Sequence, residues 1–108
     1  MIKIKRLDQS DINLINQFLF IEEKYFKEFY QIGWTKKNFI NQLKKTNNLS
    51  LGLFDKSKLQ GILIGDTIGV NNSIDYELHL IYVAKNKRRM KFATKLLYFL
   101  ESKLINLK

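Results

Sequence analysis

The amino-acid sequence predicts an α/β domain of the α+β kind built on a mainly antiparallel sheet, and three features lead there. Apolar and polar residues alternate from Ile2 to Lys5, from Leu49 to Leu53 and from Ile74 to Val83, the two-residue period of strands. Apolar residues recur at three- and four-residue spacing from Ile12 to Leu19, from Phe39 to Leu43 and from Phe92 to Leu104, the period of helices with one buried face. At 108 residues and 45% hydrophobic, the chain suffices for one core and is too short for two.

Taken in order, Ile2 and Ile4 make a short first strand between Lys3 and Lys5. Asp8 or Ser10 caps the helix that follows, and Asp11 suits its first turn, where an acid meets the positive end of the helix dipole. Ile12, Ile15 and Leu19 form the apolar stripe, which Phe18 and Phe20 widen. An aromatic connection with Tyr25, Phe26, Phe29 and Tyr30 closes at Gly33 and Trp34. Thr35 caps a second helix carrying Phe39, Ile40 and Leu43, and Asn47 and Asn48 end it. Leu49, Leu51 and Leu53, a turn from Asp55 to Lys58, and a run from Leu59 to Gly65 describe a β-hairpin in which Gly61 marks a bulge. Val70 to Ser73 is a loop, and Ile74 to Val83 is a long strand. A helix from about Met90 follows, with Phe92, Leu96, Phe99 or Leu100, and Leu104 facing inward.

Between that strand and helix lies a knot of charge: Lys85, Lys87, Arg88, Arg89 and Lys91 fall within seven residues with no acid among them. A helix N-terminus already carries about half a positive charge, so bases there are unfavourable unless an anion joins them. A phosphate would receive backbone N–H groups and basic side chains together. The chain has 16 Lys and 3 Arg, and two of the arginines are adjacent here. Their planar forks bind phosphate in a bidentate way that lysine cannot. The alternative is a solvated basic turn.

The stretch from Ile81 to Leu97 resembles motif A of the GNAT family of acetyl-CoA-dependent N-acetyltransferases. That motif is a strand ending in an apolar residue, one free position and Val, then Gln or Arg, two free positions, Gly, one free position, and Gly or Ala. Arg88 stands at the Gln/Arg position and Ala93 at the last small one, and Thr94, Lys95, Leu96 and Leu97 continue like the family's helix. Lys91 replaces the usual glycine; a lysine there is expected to avoid φ > 0 and to add its charge to the phosphate. The order strand, two helices, hairpin, strand, helix is also that of the first two-thirds of the family's domain. Trp34 and Thr35 before a helix with Phe39 and Leu43 are similar to the ribosomal-protein N-terminal acetyltransferase branch.

The resemblance implies a three-layer acyl-CoA N-acyltransferase fold with a mixed, mainly antiparallel sheet, and acetyl-CoA as cofactor. Its pyrophosphate would sit on the turn formed by Arg88, Arg89, Met90, Lys91, Phe92, Ala93 and Thr94. Backbone groups of Ile81, Tyr82 and Val83 would pair with pantetheine like an added strand. The family's C-terminal third, a splayed strand, a helix and a final hairpin, has no counterpart, so residues 1–108 read as a single truncated domain. The Glu and Tyr used for catalysis in the ribosomal-protein branch would lie beyond Lys108.

Acetyl transfer to an amine requires a base to take the amine's proton and a donor for the carbonyl oxygen. By strand alternation Asp75, Glu77, His79, Ile81 and Val83 share one face. Glu77 falls six residues before Val83, and in the histone-acetyltransferase branch a glutamate at that spacing is the general base. His79, about 6.6 Å along the strand from Glu77, is a second candidate because imidazole exchanges protons near neutrality. A solvent-facing carboxylate and a packed histidine are the alternatives. The aromatic cluster from Phe18 to Trp34 would wall the acceptor or simply form core.

The absence of Cys excludes disulfides and thiolate metal sites, and one His builds no metal cluster alone. No apolar run approaches the roughly 18 residues of a membrane-spanning helix and no signal peptide is evident, so a cytoplasmic protein without a membrane partner is expected. A net charge of +9 permits nucleic acid. Yet an abundance of Lys, Asn and Ile with no Pro suggests AT-biased coding, and an RNA binder would spread its bases and aromatics over one face. The expected function is therefore an N-acetyltransferase acting on a primary amine of a protein or small molecule. The rival is a non-catalytic remnant or a small basic phosphate- or RNA-binding module. A free edge along the strand 74–83 would make the chain a dimer joined there, or a weak cofactor binder with little turnover.

Overall fold

Four strands pair in the order of the chain. They are β1 (Ile2–Leu7), β2 (Ser50–Asp55), β3 (Lys58–Val70) and β4 (Ser73–Val83), antiparallel at every step. The structure, a computed structural model, describes residues 1–25, 31, 33–71 and 73–107, with Val70 through its backbone alone. Helices α1 (Ile12–Glu22) and α2 (Lys36–Lys44) lie between β1 and β2 in sequence, and α3 (Phe92–Asn106) follows β4. One buried cluster joins Ile15, Phe18, Leu19, Phe39 and Leu43 to Ile62, Ile64, Leu80 and Tyr82 of the sheet. A second packs Phe92, Leu96 and Leu100 against Leu51, Leu53, Leu63 and Val83. The sheet thus has α1 and α2 on one face and α3 on the other, the three-layer α+β architecture expected from the sequence.

Local chemistry explains the boundaries. Asp8 accepts from the Ser10 N–H at 2.9 Å while the Asp11 carboxylate accepts from the Asp8 N–H, a reciprocal cap over the short 3-10 turn leading into α1. Thr35 caps α2 by accepting from the Asn38 N–H. Lys56 and Ser57, at φ 52° and 68°, form the two-residue hairpin turn between β2 and β3, whose two positive φ angles match strand twist. The ladder there carries the expected bulge: Leu53 faces Gly61 and Phe54 faces Leu59, so Gln60, beside Gly61, is the extra residue.

Several expectations need correction. β3 does not stop at Gly65 but runs to Val70, and Asp66 within it is buried, with hydrogen-bond partners in Gln42, Lys45 and His79. The helix expected from Met90 begins at Phe92, and Lys85–Met90 forms a separate 3-10 turn. Phe20 does not widen the apolar face of α1; it is 74% exposed. Most of the aromatic connection, Phe26 to Tyr30, lies outside the described residues.

Candidate active site

The centre of the site is an irregularity in β4. Leu80 pairs with Ile64 but Leu78 pairs with Gly65, which leaves His79 as one extra residue in the ladder. An inserted residue reverses the parity of side chains beyond it. The single face expected for Asp75, Glu77, His79, Ile81 and Val83 is therefore broken. Ile81 and Val83 pack with Tyr76 on the α3 side, whereas Leu80 and Tyr82 join the α1–α2 side. Gly65 accommodates the crossing: a Cβ there would run into the Tyr76 ring and the Glu77 carbonyl oxygen. Tyr76 passes over this gap and donates its hydroxyl to the Leu49 carbonyl at 2.6 Å.

On the α2 side, Glu77 and His79 come together. His79 Nδ1 is 3.7 Å from Glu77 Oε1, and its ring centroid is 6.2 Å from that of Trp34. The other ring nitrogen, Nε2, lies 2.9 Å from Oδ2 of Asp66 on β3. Asp66 is 6% exposed and also accepts from the Gln42 amide and from Lys45 Nζ at 3.1 Å. Burial opposes its ionisation, but hydrogen bonds from His79, Gln42 and Lys45 outweigh that and hold the carboxyl below the usual aspartate range. Gln42 further bonds the Asn48 side chain, and Asn48 bonds the Leu7 carbonyl, so the pair is tied to α2 and the β1 end. A cleft of ≈ 430 Å³ opens here, lined by Gly33, Trp34, Asn38, Gln42, Lys45 and His79 among others. Asp75 is exposed farther along β4. Sequence reasoning missed Asp66. The signal was parity: it follows Ile62 and Ile64 at two-residue steps, on the side of β3 that faces α1 and α2.

At the other end of β4 a second cleft, of ≈ 580 Å³, is lined by Ile81, Tyr82, Val83, Arg88, Lys91, Ala93 and Thr94. These are seven of the ten residues that the resemblance assigned to cofactor binding. Arg88 Nε donates to the Val83 carbonyl at 3.2 Å, and its guanidinium lies 5.1 Å from the centroid of the Tyr82 ring. Tyr82 donates to Oε1 of Glu22, a buried residue of α1 that also accepts from the Lys85 N–H at 2.8 Å. Burial and the Glu22 carboxylate push the Tyr82 phenol up. Glu22 too was missed, although it continues the helical spacing of Ile15 and Phe18 or Leu19.

Lys91 adopts φ 60° and ψ 31°, against the expectation that it would avoid φ > 0. It takes the left-handed conformation that the glycine of the motif would adopt without strain. The first helical bond of α3 runs from the Lys95 N–H to the Lys91 carbonyl, so the N–H groups of Phe92, Ala93 and Thr94 precede the ladder. Phe92 brings only its backbone to this end, since its side chain is 1% exposed in the core. Arg89 and Met90 are exposed and do not line the cleft. Lys87 lies 3.7 Å from Asp55, and Lys85 lies over the Tyr25 ring, so those two charges are partly engaged within the protein. Among the described residues no cluster of acids and histidine is arranged to hold a metal ion, and no helix is long and apolar enough to cross a membrane.

No protein-family model and no curated protein matches the sequence. Solved structures do. An aminoglycoside acetyltransferase from an uncultured soil metagenomic sample, in complex with sisomicin, superposes with a TM-score of 0.78 at 16% identity, over 97% of this chain and 70% of its own. A ribosomal-protein-alanine N-acetyltransferase from Brucella melitensis gives 0.75 at 17% identity, over 95% and 71%. The PaiA N-acetyltransferase of Thermoplasma acidophilum, in complex with coenzyme A, gives 0.75 at 19%, over 98% and 73%. The fold is that of the GNAT acetyltransferases.

Proposed function

We propose that this chain is an acetyl-CoA-dependent N-acetyltransferase that acetylates a primary amine, either a protein amine or that of a small molecule. The observation that carries this reading is the cleft bounded by Ile81–Val83, Arg88, Lys91 and the first turn of α3. The last residues of an edge strand offer backbone groups to pantetheine, and the helix N-terminus with Arg88 and Lys91 offers N–H groups and positive charge to the pyrophosphate. Arg89 adds charge from outside the cleft. The coenzyme A complex of a protein with the same fold supports that use. The thioester end of such a ligand would run along β4 towards the bulge, where Glu77 and His79 form a proton-accepting pair on the α2 side.

In that arrangement the pair takes a proton from the acceptor's ammonium, and the freed amine attacks the thioester carbonyl. The extra residue at His79 interrupts the ladder, and a backbone N–H at such a bulge would be a donor for the developing oxyanion. The acceptor differs even among proteins of this fold, which include an aminoglycoside acetyltransferase and a ribosomal-protein-alanine N-acetyltransferase, so the fold does not select between them.

The test is calorimetric titration with acetyl-CoA, followed by thiol release with a panel of aminoglycosides, polyamines and peptides bearing free N-termini. Saturable binding with thiol release on one class is expected. Absence of acetyl-CoA binding would overturn the reading. Arg88→Ala with Arg89→Ala is expected to weaken binding by about 2–4 kcal/mol, through the loss of charge-assisted bonds.

A further inference from the structure

His79 is held between two carboxylates that differ in kind. Asp66 is buried and accepts hydrogen bonds from Gln42, Lys45 and the imidazole. Glu77 is exposed, and its Oε1 stands 3.7 Å from the other ring nitrogen, too far for a direct hydrogen bond. An ionised carboxylate only accepts, so the imidazole atom facing Asp66 carries the hydrogen. A neutral imidazole has one N–H, and the lone pair is then on Nδ1. That atom points towards the exposed carboxylate, and His79 borders the cleft beside Trp34.

We propose that Asp66 is a positioning residue that fixes His79 as the Nε2–H tautomer, which makes Nδ1 the acceptor of the acceptor amine's proton, with Glu77 as the second contact of the same ammonium. This rests on the acetyltransferase reading above. An alkylammonium between the two groups donates one N–H to Glu77 and one to Nδ1, and the proton passes to Nδ1. The amine nitrogen then bonds to the thioester carbonyl carbon as the carbon–sulfur bond breaks. The thiolate leaves and takes the surplus proton from the new amide nitrogen, and the imidazolium returns its proton to solvent. Atoms balance with one amide, one thiol and one solvent proton formed.

The chain has a single His, so ¹⁵N-histidine labelling reports this ring without ambiguity. In the neutral form, nitrogen shifts should show hydrogen on Nε2 and none on Nδ1. In Asp66→Asn the signals should move towards a mixture of tautomers, with kcat reduced and acetyl-CoA affinity unchanged. His79→Gln keeps a donor towards Asp66 but cannot take a proton, and kcat should fall about 10²–10⁴-fold. Where Asp66→Asn does not fold, the wild-type tautomer and the His79→Gln rate decide. Hydrogen on Nδ1 in the wild type, an unchanged tautomer in a folded Asp66→Asn, or wild-type turnover by His79→Gln would each overturn the proposal. A wild-type chain that binds no acetyl-CoA would overturn the acetyltransferase reading, and the proposal with it, while leaving the tautomer measurable by itself.

Discussion

A side chain at φ 60° costs roughly 1 kcal/mol relative to glycine, and Lys91 bears that cost at the entrance to α3. Lys91→Gly should therefore raise stability by about 1 kcal/mol in urea unfolding, while removing one positive charge from the cleft. If acetyl-CoA affinity falls in the same variant, the lysine is retained for its charge; an unchanged affinity would show that the charge is idle. The motif position was legible, because Arg88 and Ala93 fix the register around it. The backbone angle was not, because sequence describes what a lysine prefers rather than what the turn imposes. Glu77→Gln separates two roles for Glu77. If Glu77 only orients the ammonium beside His79, kcat should fall about tenfold; as the base itself it would cost about 10²–10⁴-fold.

Among the elements, β4 shows both what alternation predicts and where it stops. The strand, its length and its place after a hairpin follow from the apolar period. Its face assignment fails at His79 because period-two arithmetic assumes an unbroken ladder, and the bulge is set by tertiary contacts: Tyr76 crossing Gly65, and His79 meeting Asp66. Gly65→Ala should consequently destabilise by at least about 2 kcal/mol, since backbone blocks one side of the added methyl. It should also disturb turnover if the bulge positions the reacting groups. The Asp66 network makes an acid-side prediction as well. Its folded pKa lies below the ordinary 3.8, so the unfolded chain binds a proton first as pH falls. The stability it contributes is complete above that ordinary value and is lost as pH drops through the lower folded value. Acid titration of stability should show a steep limb below pH 3.8, and that limb should be shallower in Asp66→Asn. Constant slopes would mean that the carboxylate titrates alike in both states.

For the molecule as a whole, the order of elements was readable from hydrophobic period and turn residues, and it proved enough to place the three layers. What covers the outer side of β4 is not encoded in any such period. Among the described residues β4 ends the sheet, with β3 its one partner strand. An eleven-residue edge with Leu78 exposed on it, and with Leu97 and Ile105 exposed on α3, is a template for a further strand. A second copy of the chain pairing along β4 would satisfy those backbone groups, and it would occupy the same Ile81–Val83 groups that the proposed pantetheine contact needs. The two uses then compete, and a ligand that binds only the free edge must dissociate the pair by mass action. Light scattering should accordingly find a dimer at tens of micromolar protein, a shift towards monomer as acetyl-CoA is added, and monomer without ligand for Leu78→Lys, which sets like charges near the pairing line. A dimer indifferent to saturating acetyl-CoA would mean that association uses another surface. A wild-type monomer with ordinary turnover would mean that this edge needs no second copy and that one chain forms a working cleft.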